Sequence, residues 1–337
     1  MPGPTLSSGL NLIHKQLTYH PPQPTSSFEG QTVIVTGGNA GLGREASRHM
    51  AQLNAQRLII ACRTVSKGEE AKKWILEQTS SRTNIEVWQL NMSDYGSVKA
   101  FAQRAKGLER LDAVLENAGS WPTRFEMLEG HEATITVNVI STCLLAYLLL
   151  PKLEETGRKH GITTRLSIVS SDLHKFATLK ARAAKNIFEE LKVEATDYDG
   201  RYNDTKLLVV MFIRKLAAAI SKQHAGNDQV SLNAMSPGWC DSALKPPKTF
   251  GERTAQRLLQ RSTDEGARLL VDAVAADKVA GRNGQYISEG QVRQAAAWLY
   301  CREGQTTEDK VWTELNAILE SIEPGCTHWA EGEERKW

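Results

Sequence analysis

The chain has 337 residues, with 41 basic and 39 acidic side chains and a formal net charge of +2. Such balance gives no electrostatic footprint for nucleic acid, and 41% hydrophobic with 24% charged residues fits an ordinary soluble globular chain. The five cysteines, Cys62, Cys143, Cys240, Cys301 and Cys326, are scattered and form no CxxC, which argues against a disulfide framework or zinc site and for reduced thiols in a cytoplasmic setting.

Residues 1–30 read as an N-terminal extension. They lack the basic segment and apolar core of a secretory signal. Leu10, Leu12, Ile13 and Leu17 offer one short helical turn, and Pro21, Pro22, Pro24, Ser26 and Ser27 make a loop-rich stretch. Regular alternation then begins. Strands are predicted at Thr32–Thr36, Arg57–Cys62, Ile85–Leu90, Leu111–Leu115, Arg165–Ser170, Val230–Met235 and Gln285–Ser288, from short runs rich in β-branched residues. Helices are predicted between them at 43–53, 66–78, 94–105 (with Ser93 as N-cap), 131–153, 202–223 and 265–275, and an amphipathic helix at 307–322 ends the chain. The apolar run Val139 to Leu150 is too short to span a bilayer and reads as a buried core helix, with no transmembrane segment expected. Strands alternating with helices imply an α/β fold: a single Rossmann-type doubly wound parallel sheet of about seven strands, flanked by helices, over residues 31–337.

The first strand runs into Thr36-Gly37-Gly38-Asn39-Ala40-Gly41-Leu42-Gly43. A glycine loop between a strand and a helix is where a dinucleotide pyrophosphate meets the helix N-terminus. Gly38 to Gly43 also has the glycine spacing of a P-loop, but Arg44-Glu45 follows where Lys and Ser/Thr are needed, so phosphoryl transfer is disfavoured. Arg63 ends the second strand where an acidic residue would favour NAD. Its guanidinium can fork onto a 2′-phosphate, with Lys67 and Arg44 as added positive charge, so NADP(H) is the expected cofactor.

At this point the sequence resembles the short-chain dehydrogenase/reductase family. The glycine loop matches TGxxxGxG, Asn117-Ala118-Gly119 matches NAG, Ser170-Ser171 ends a strand like the family's serine motif, Tyr202 to Lys206 matches YxxxK, and Pro237-Gly238 matches PG. Asn138 lies in the long helix where the family places a catalytic asparagine. The Ala61-Cys62-Arg63 strand end is similar to the retinol-dehydrogenase-like branch, which includes fungal natural-product reductases. The resemblance implies cofactor contacts from Gly37, Asn39, Gly41, Leu42, Gly43, Arg63, Lys67, Asn91, Asn117, Ala118, Gly119, Tyr202, Lys206, Pro237, Gly238 and Ser242. There are departures: Asn91-Met92 stands where the family often has Asp-Leu near adenine, and Ser242 where a threonine is common. The 172–201 stretch between Ser171 and Tyr202 is longer than in most members.

Hydride chemistry belongs to the cofactor, while the protein positions the carbonyl and handles a proton. A free tyrosine has a pKa near 10, and a nearby cation lowers it. Tyr202 and Lys206, four apart on a helix, share a face. Tyr202 is assigned as acid/base and Lys206 as the cation. By resemblance Lys206 also binds the nicotinamide ribose, Ser171 holds the substrate oxygen and Asn138 holds a water in a proton relay. A second match, Tyr95 to Lys99, is set aside because it follows strand three, far from the serine strand. His174, beside Ser171, is read as a loop residue.

The substrate region is expected at Ser120–Met127, at 172–201 and at 239–262. There Trp121, Phe125, Leu173, Phe176, Trp239 and Leu244 offer apolar surface for a hydrophobic ketone, aldehyde or alcohol. The rivals are a non-catalytic NADP-binding interaction protein, an NAD-linked dehydrogenase, and an epimerase or dehydratase of related fold. A homodimer through the helices at 131–153 and 202–223 is left open by the resemblance.

Overall fold

In the computed structural model, which describes residues 14–194, 197–223, 229–241, 244, 251, 254, 256 and 259–327, every residue of strand β1 (Thr32–Thr36) is buried. A strand covered on both faces needs apolar side chains in both directions. Ile34 points into one core with Ile59, Val114 and Ile168, while Val33 and Val35 point into the other with Leu58, Ile60 and Leu115. Strand β1 pairs in parallel with β2 (Arg57–Cys62) on one side and β4 (Ala113–Glu116) on the other; β3 (Asn84–Gln89) extends the β2 side. Beyond β4 the parallel sheet continues through β7 (Thr164–Val169), β8 (Val230–Ser236) and β9 (Gln285–Ser288). With β10 (Gln291–Arg293) at its far edge, the order β10-β9-β8-β7-β4-β1-β2-β3 reverses direction of winding at β1/β4, the crevice where such sheets bind ligands.

Among the described residues the sheet has eight strands, the seven expected ones and one more. The eighth, β10 (Gln291–Arg293), is antiparallel and joined to β9 by Glu289-Gly290. Both turn residues have positive φ, 56° and 68°, which suits the mirror-image turn that matches strand twist. The same Glu-Gly pair at Glu129-Gly130 closes a small separate hairpin of β5 (Met127–Leu128) and β6 (His131–Glu132).

Helices α1 (Gly41–Gln52), α2 (Val65–Thr79) and α3 (Tyr95–Lys106) follow the first three strands. The N-cap of α3 is Asp94, not Ser93: the Asp94 carboxylate accepts from the Ser97 amide, whereas the Ser93 amide is turned back onto Asn91 Oδ1. Helix α4 runs from Ala133 to His160, with residues 131 and 132 in the hairpin instead. By length and hydropathy alone it could cross a membrane, but 94% of its most apolar window is buried in the protein, which makes it a core helix. Helix α5 (Tyr198–Gln223) begins four residues before Tyr202. Helix α6 (Thr263–Asp272) lies against α1, and α7 (Arg302–Ile322) starts before the expected Thr307.

Helix α7 packs on the two helices at which the resemblance leaves a homodimer open. Tyr147 of α4, Phe212 of α5 and Trp312 of α7 form one aromatic cluster, and Arg214 and Lys215 of α5 pair with Glu308 and Asp309 at 2.7 Å each. The stretch between Ser171 and α5 is packed too. Glu314 of α7 accepts from the amides of Ile187 and Phe188, and Ile187 and Phe188 are buried.

Candidate active site

The carboxyl ends of β1, β4, β7 and β8 converge at the crevice. At β1 the chain turns through Gly37, whose φ is +65°, and Gly41, whose φ is +52°. Gly43 is required by space: a Cβ there would lie 2.4 Å from the Gly37 carbonyl oxygen and 2.6 Å from Asn117 Nδ2. Thr36 stitches this loop to the next one. Its hydroxyl accepts from the Asn117 and Ala118 amides at 3.0 and 2.9 Å, and Asn117 Nδ2 donates to the Thr36 carbonyl. Helix α1 therefore presents its first-turn amides to the loop with no side-chain cap at Ala40, a geometry suited to phosphate. Asn39 and Leu42 are half-buried in this turn.

Arg63 and Lys67 are exposed at the end of β2 and the start of α2, and among the described residues no hydrogen bond or ion pair engages Arg63. The Arg44 guanidinium lies 4.1 Å over the Trp74 ring. Asn91 uses its amide oxygen on the Ser93 amide. Ser242 lies outside the described residues.

Asn138 sits in a π-helical turn, Thr136–Ser141, within α4. Such turns recur at functional sites because they re-aim side chains within a helix. Its side chain is fully engaged: Oδ1 accepts from the Ser120 amide, and Nδ2 donates to the Ser120 carbonyl (2.8 Å) and to Thr205 Oγ1 (3.2 Å). The asparagine thus ties the loop after β4 to α5. A Cβ on Gly119 would lie 3.3 Å from Asn138 Oδ1 and 3.8 Å from Lys206 Nζ, so the loop closes directly over both.

The Ser171 side chain lies beside the Tyr202 hydroxyl, near enough to draw its pKa down. Ser171 Oγ also accepts from the Leu173 amide, which fixes the hydroxyl at the end of β7. Lys206 Nζ donates to the Val169 carbonyl at 2.7 Å and lies 5.5 Å from the centre of the Tyr202 ring. Ser170, next to it, anchors the opposite way, donating to the Lys206 carbonyl. The electrostatics differ from the expectation. Burial pushes the Tyr202 pKa up, with the Ser171 side chain as the opposing influence, and burial pushes Lys206 down to about 8. The phenol is therefore kept protonated. Part of the reason is Trp121, whose ring stacks on Tyr202 at 3.9 Å and whose indole N–H donates to Asp199, one turn earlier on α5.

Around Ser171 lies a network that motif reading passed over. Asp172 accepts from Lys175, Ser236, Tyr286 and Ser288, all at 2.9–3.0 Å. Burial alone would raise its pKa, but Lys175 and the hydroxyl donors outweigh that and hold it low. His174 is a buried tie rather than a loop residue or a base. Its Nδ1 faces the Ser171 carbonyl at 2.6 Å, its Nε2 accepts from the Ala296 amide, and burial lowers its pKa to about 4. The discarded Tyr95–Lys99 pair is structural: Tyr95 is buried and Lys99 Nζ reaches the Ile322 carbonyl and Glu323 at the end of α7. Pro237 and Gly238, with φ +79° at the glycine, form the turn after β8.

The sequence model of the short chain dehydrogenase family matches residues 31–174. A short chain dehydrogenase/reductase from Cryptosporiopsis sp. is 36% identical, covering 94% of this chain and 99% of its own. A short-chain dehydrogenase from Penicillium roqueforti is 38% identical, covering 94% of this chain and 85% of its own. Among solved structures, a putative uncharacterized protein from Mycobacterium paratuberculosis superposes with a TM-score of 0.62 at 22% identity, covering 88% of this chain and 95% of that one. The RhlG/NADP active-site complex from Pseudomonas aeruginosa superposes with a TM-score of 0.60 at 20% identity, covering 79% and 96%. At these identities the solved structures show the fold alone.

Proposed function

The chain belongs to the short-chain dehydrogenase/reductase family, and from that premise we propose that it is an NADP(H)-dependent oxidoreductase acting on a carbonyl or alcohol carbon of a hydrophobic small molecule. The observation that carries the reading is the convergence of Ser171, Tyr202, Lys206 and Asn138 beneath the Gly119 loop. A non-catalytic nucleotide-binding protein has no need to bury that set together.

The residues fit a dinucleotide. The left-handed Gly37 and Gly41, the tight Gly43 contact and the uncapped start of α1 make a cradle for a pyrophosphate. Lys206, and the turn from Pro237, would hold the nicotinamide end. Arg63, exposed and unengaged among the described residues, would take the 2′-phosphate, which favours NADP(H) over NAD(H). When bound, the nicotinamide donates or accepts the hydride.

The chain's own residues supply the rest. Ser171 donates a hydrogen bond to the substrate oxygen and orients it between its own hydroxyl and that of Tyr202. Tyr202 delivers its proton to that oxygen as negative charge develops there. Because burial raises its pKa, the phenol holds this proton at neutral pH, which suits carbonyl reduction better than alcohol oxidation. Lys206, near 8, is mostly cationic at neutral pH and stabilises the phenolate left behind. Asn138, with its side chain engaged, acts in a relay only through its main-chain carbonyl and otherwise holds Ser120 and Thr205 in place. Trp121 and Leu173 line the approach with apolar surface. A place in fungal secondary metabolism goes with the resemblance to natural-product reductases.

Titration with NADPH and NADH, followed by nicotinamide fluorescence, tests the reading in wild type and Arg63→Ala. Loss of charge-assisted bonds worth about 1.5–3 kcal/mol should weaken NADPH roughly 10- to 150-fold and leave NADH nearly unchanged. Equal weakening of both nucleotides would remove Arg63 from the 2′-phosphate. Binding of neither nucleotide to wild type would sink the proposal.

A further inference from the structure

The family match begins at residue 31, yet residues before it reach the catalytic end of the sheet. Residues 14–18 form a helical turn. From it Gln16 makes a two-way bond to one residue of the turn after β8: Nε2 donates to the Trp239 carbonyl at 2.6 Å and Oε1 accepts from the Trp239 amide at 3.1 Å. A side-chain amide is thus used as a backbone unit would be in a sheet, and it satisfies both polar groups of Trp239. Arg261 closes the other side. Its guanidinium, on a residue 5% exposed, donates to the Pro237 carbonyl and to the Lys15 carbonyl, and lies 5.4 Å over the Tyr19 ring. Its backbone bonds both neighbours of Cys240, donating to the Trp239 carbonyl and accepting from the Asp241 amide at 2.9 Å each.

Three further contacts hold the segment in register. Lys15 pairs with Glu289 of the β9–β10 turn at 3.3 Å, His20 Nδ1 lies 3.0 Å from Glu265 at the start of α6, and the Pro21 carbonyl accepts from Arg268. The clamp also leads inward. The Gly238 amide donates to Ser236 Oγ, and Ser236 Oγ donates to Asp172, the residue after Ser171. Hydrogen bonds and the short stretches of main chain between them therefore link Gln16, through the Pro237–Trp239 turn and Asp172, to the strand end that carries Ser171. Gly238 is confined by the same parts: a Cβ there would lie 2.3 Å from Arg261 Nη1 and 3.1 Å from Gln16 Oε1.

We propose that the segment His14–His20 is a working part of the active site, in which Gln16, with Arg261, is a positioning residue that fixes the Pro237–Cys240 turn against the nicotinamide end of the cofactor. This rests on the nucleotide-binding reading above. Gln16 is half-buried, and its side-chain bonds among the described residues go to Trp239 alone, so its loss should change the turn and not the fold.

The test uses the full chain as wild type, Gln16→Ala, Gln16→Glu and Arg261→Lys. Amide hydrogen exchange at Trp239, nicotinamide-fluorescence titration with NADPH, and the thermal midpoint are read on each. In Gln16→Ala the Trp239 amide should exchange about three- to tenfold faster, as for a lost hydrogen bond, and NADPH affinity should fall by a similar factor at an unchanged midpoint. Gln16→Glu keeps the acceptor and loses the donor, so it should fall between wild type and Gln16→Ala. Arg261→Lys retains charge without the fork and should weaken NADPH likewise. Unchanged exchange and unchanged NADPH affinity in Gln16→Ala would overturn the clamp. A midpoint that drops in step with affinity would also overturn it, in favour of a plain stability role. Wild-type protein that bound no nucleotide would overturn the functional reading and the purpose given to the clamp, while faster exchange in Gln16→Ala would still record the contact.

Discussion

The glycine-loop half of the crevice and the serine–tyrosine half are held by different means. On the β1–β2 side the shape is set by backbone: left-handed glycines, a Gly43 that admits no side chain, and Thr36 bonded to main-chain amides. On the β7–β9 side it is set by side chains that arrive from far along the chain. Asp172 meets Tyr286 and Ser288, His174 meets Ala296, and Gln16 meets Trp239, over separations of 114, 116, 122 and 223 residues. The first kind of site fixes residue identity at fixed spacing and leaves a motif. The long-range ties of the second, outside its Ser171 and Tyr202–Lys206 motifs, need only a donor and an acceptor that the fold brings together, and many residue pairs meet that need. A pyrophosphate is common to every user of the first half, whereas the second must be shaped around one substrate.

If the halves are separable, each has its own variant. The largest effect belongs to Tyr202→Phe, which keeps the ring and its Trp121 stack and removes only the transferable proton. Turnover of a carbonyl found by screening should fall by about 10²- to 10⁴-fold, with NADPH affinity unchanged in the fluorescence titration. Parallel loss of affinity would merge the two halves and break the comparison. Gly43→Ala is the matching probe of the other half. Its methyl would stand 2.4 Å from the Gly37 oxygen, so the loop must shift, at a cost of about 1–3 kcal/mol. NADPH affinity and the thermal midpoint should both fall, while kcat measured at saturating nucleotide should change little. A collapse of kcat at saturation would show that the loop also governs the chemistry.

The sheet was legible because parallel strands buried on both faces are short β-branched runs, as Thr32–Thr36 is. β10 was not, because three residues carry little periodicity and Glu289-Gly290 lacks the Asn-Gly or Asp-Gly signature of a two-residue hairpin. The cap of α3 was misplaced by one residue because Ser93 and Asp94 are both good caps, and only the Asn91 turn decides between them. Within the site, the spacing of Tyr202 and Lys206 places them on one helix face, but spacing carries no information on burial. The upward sign of the Tyr202 shift comes from burial, to which the indole laid over it contributes. Gln16 had no signal at all: a glutamine in a proline-rich extension has nothing to mark its partner.

The smallest expected effect lies where the substrate half has most room to vary. Trp121 covers Tyr202 with a stack typically worth about 0.5–1.5 kcal/mol beyond area burial, and the Asp199 bond holds the indole in place. Trp121→Ala lets water reach the phenol. Since burial is what raises the Tyr202 pKa, exposure should lower it toward the ordinary value. The sign follows for each direction of the reaction. Oxidation needs the phenolate, so its rise with pH should begin at lower pH in the variant; a shift of about half to one pH unit is expected for partial rehydration. Reduction needs the phenol, so its loss at alkaline pH should move down by the same amount. The measurement is the pH profile of both directions with one carbonyl and its alcohol, in wild type and Trp121→Ala. A stationary profile with an altered KM would make Trp121 a wall for substrate alone. A moving profile would make it the group that keeps the acid protonated, and the stack would then belong to the chemistry and not only to the substrate's fit.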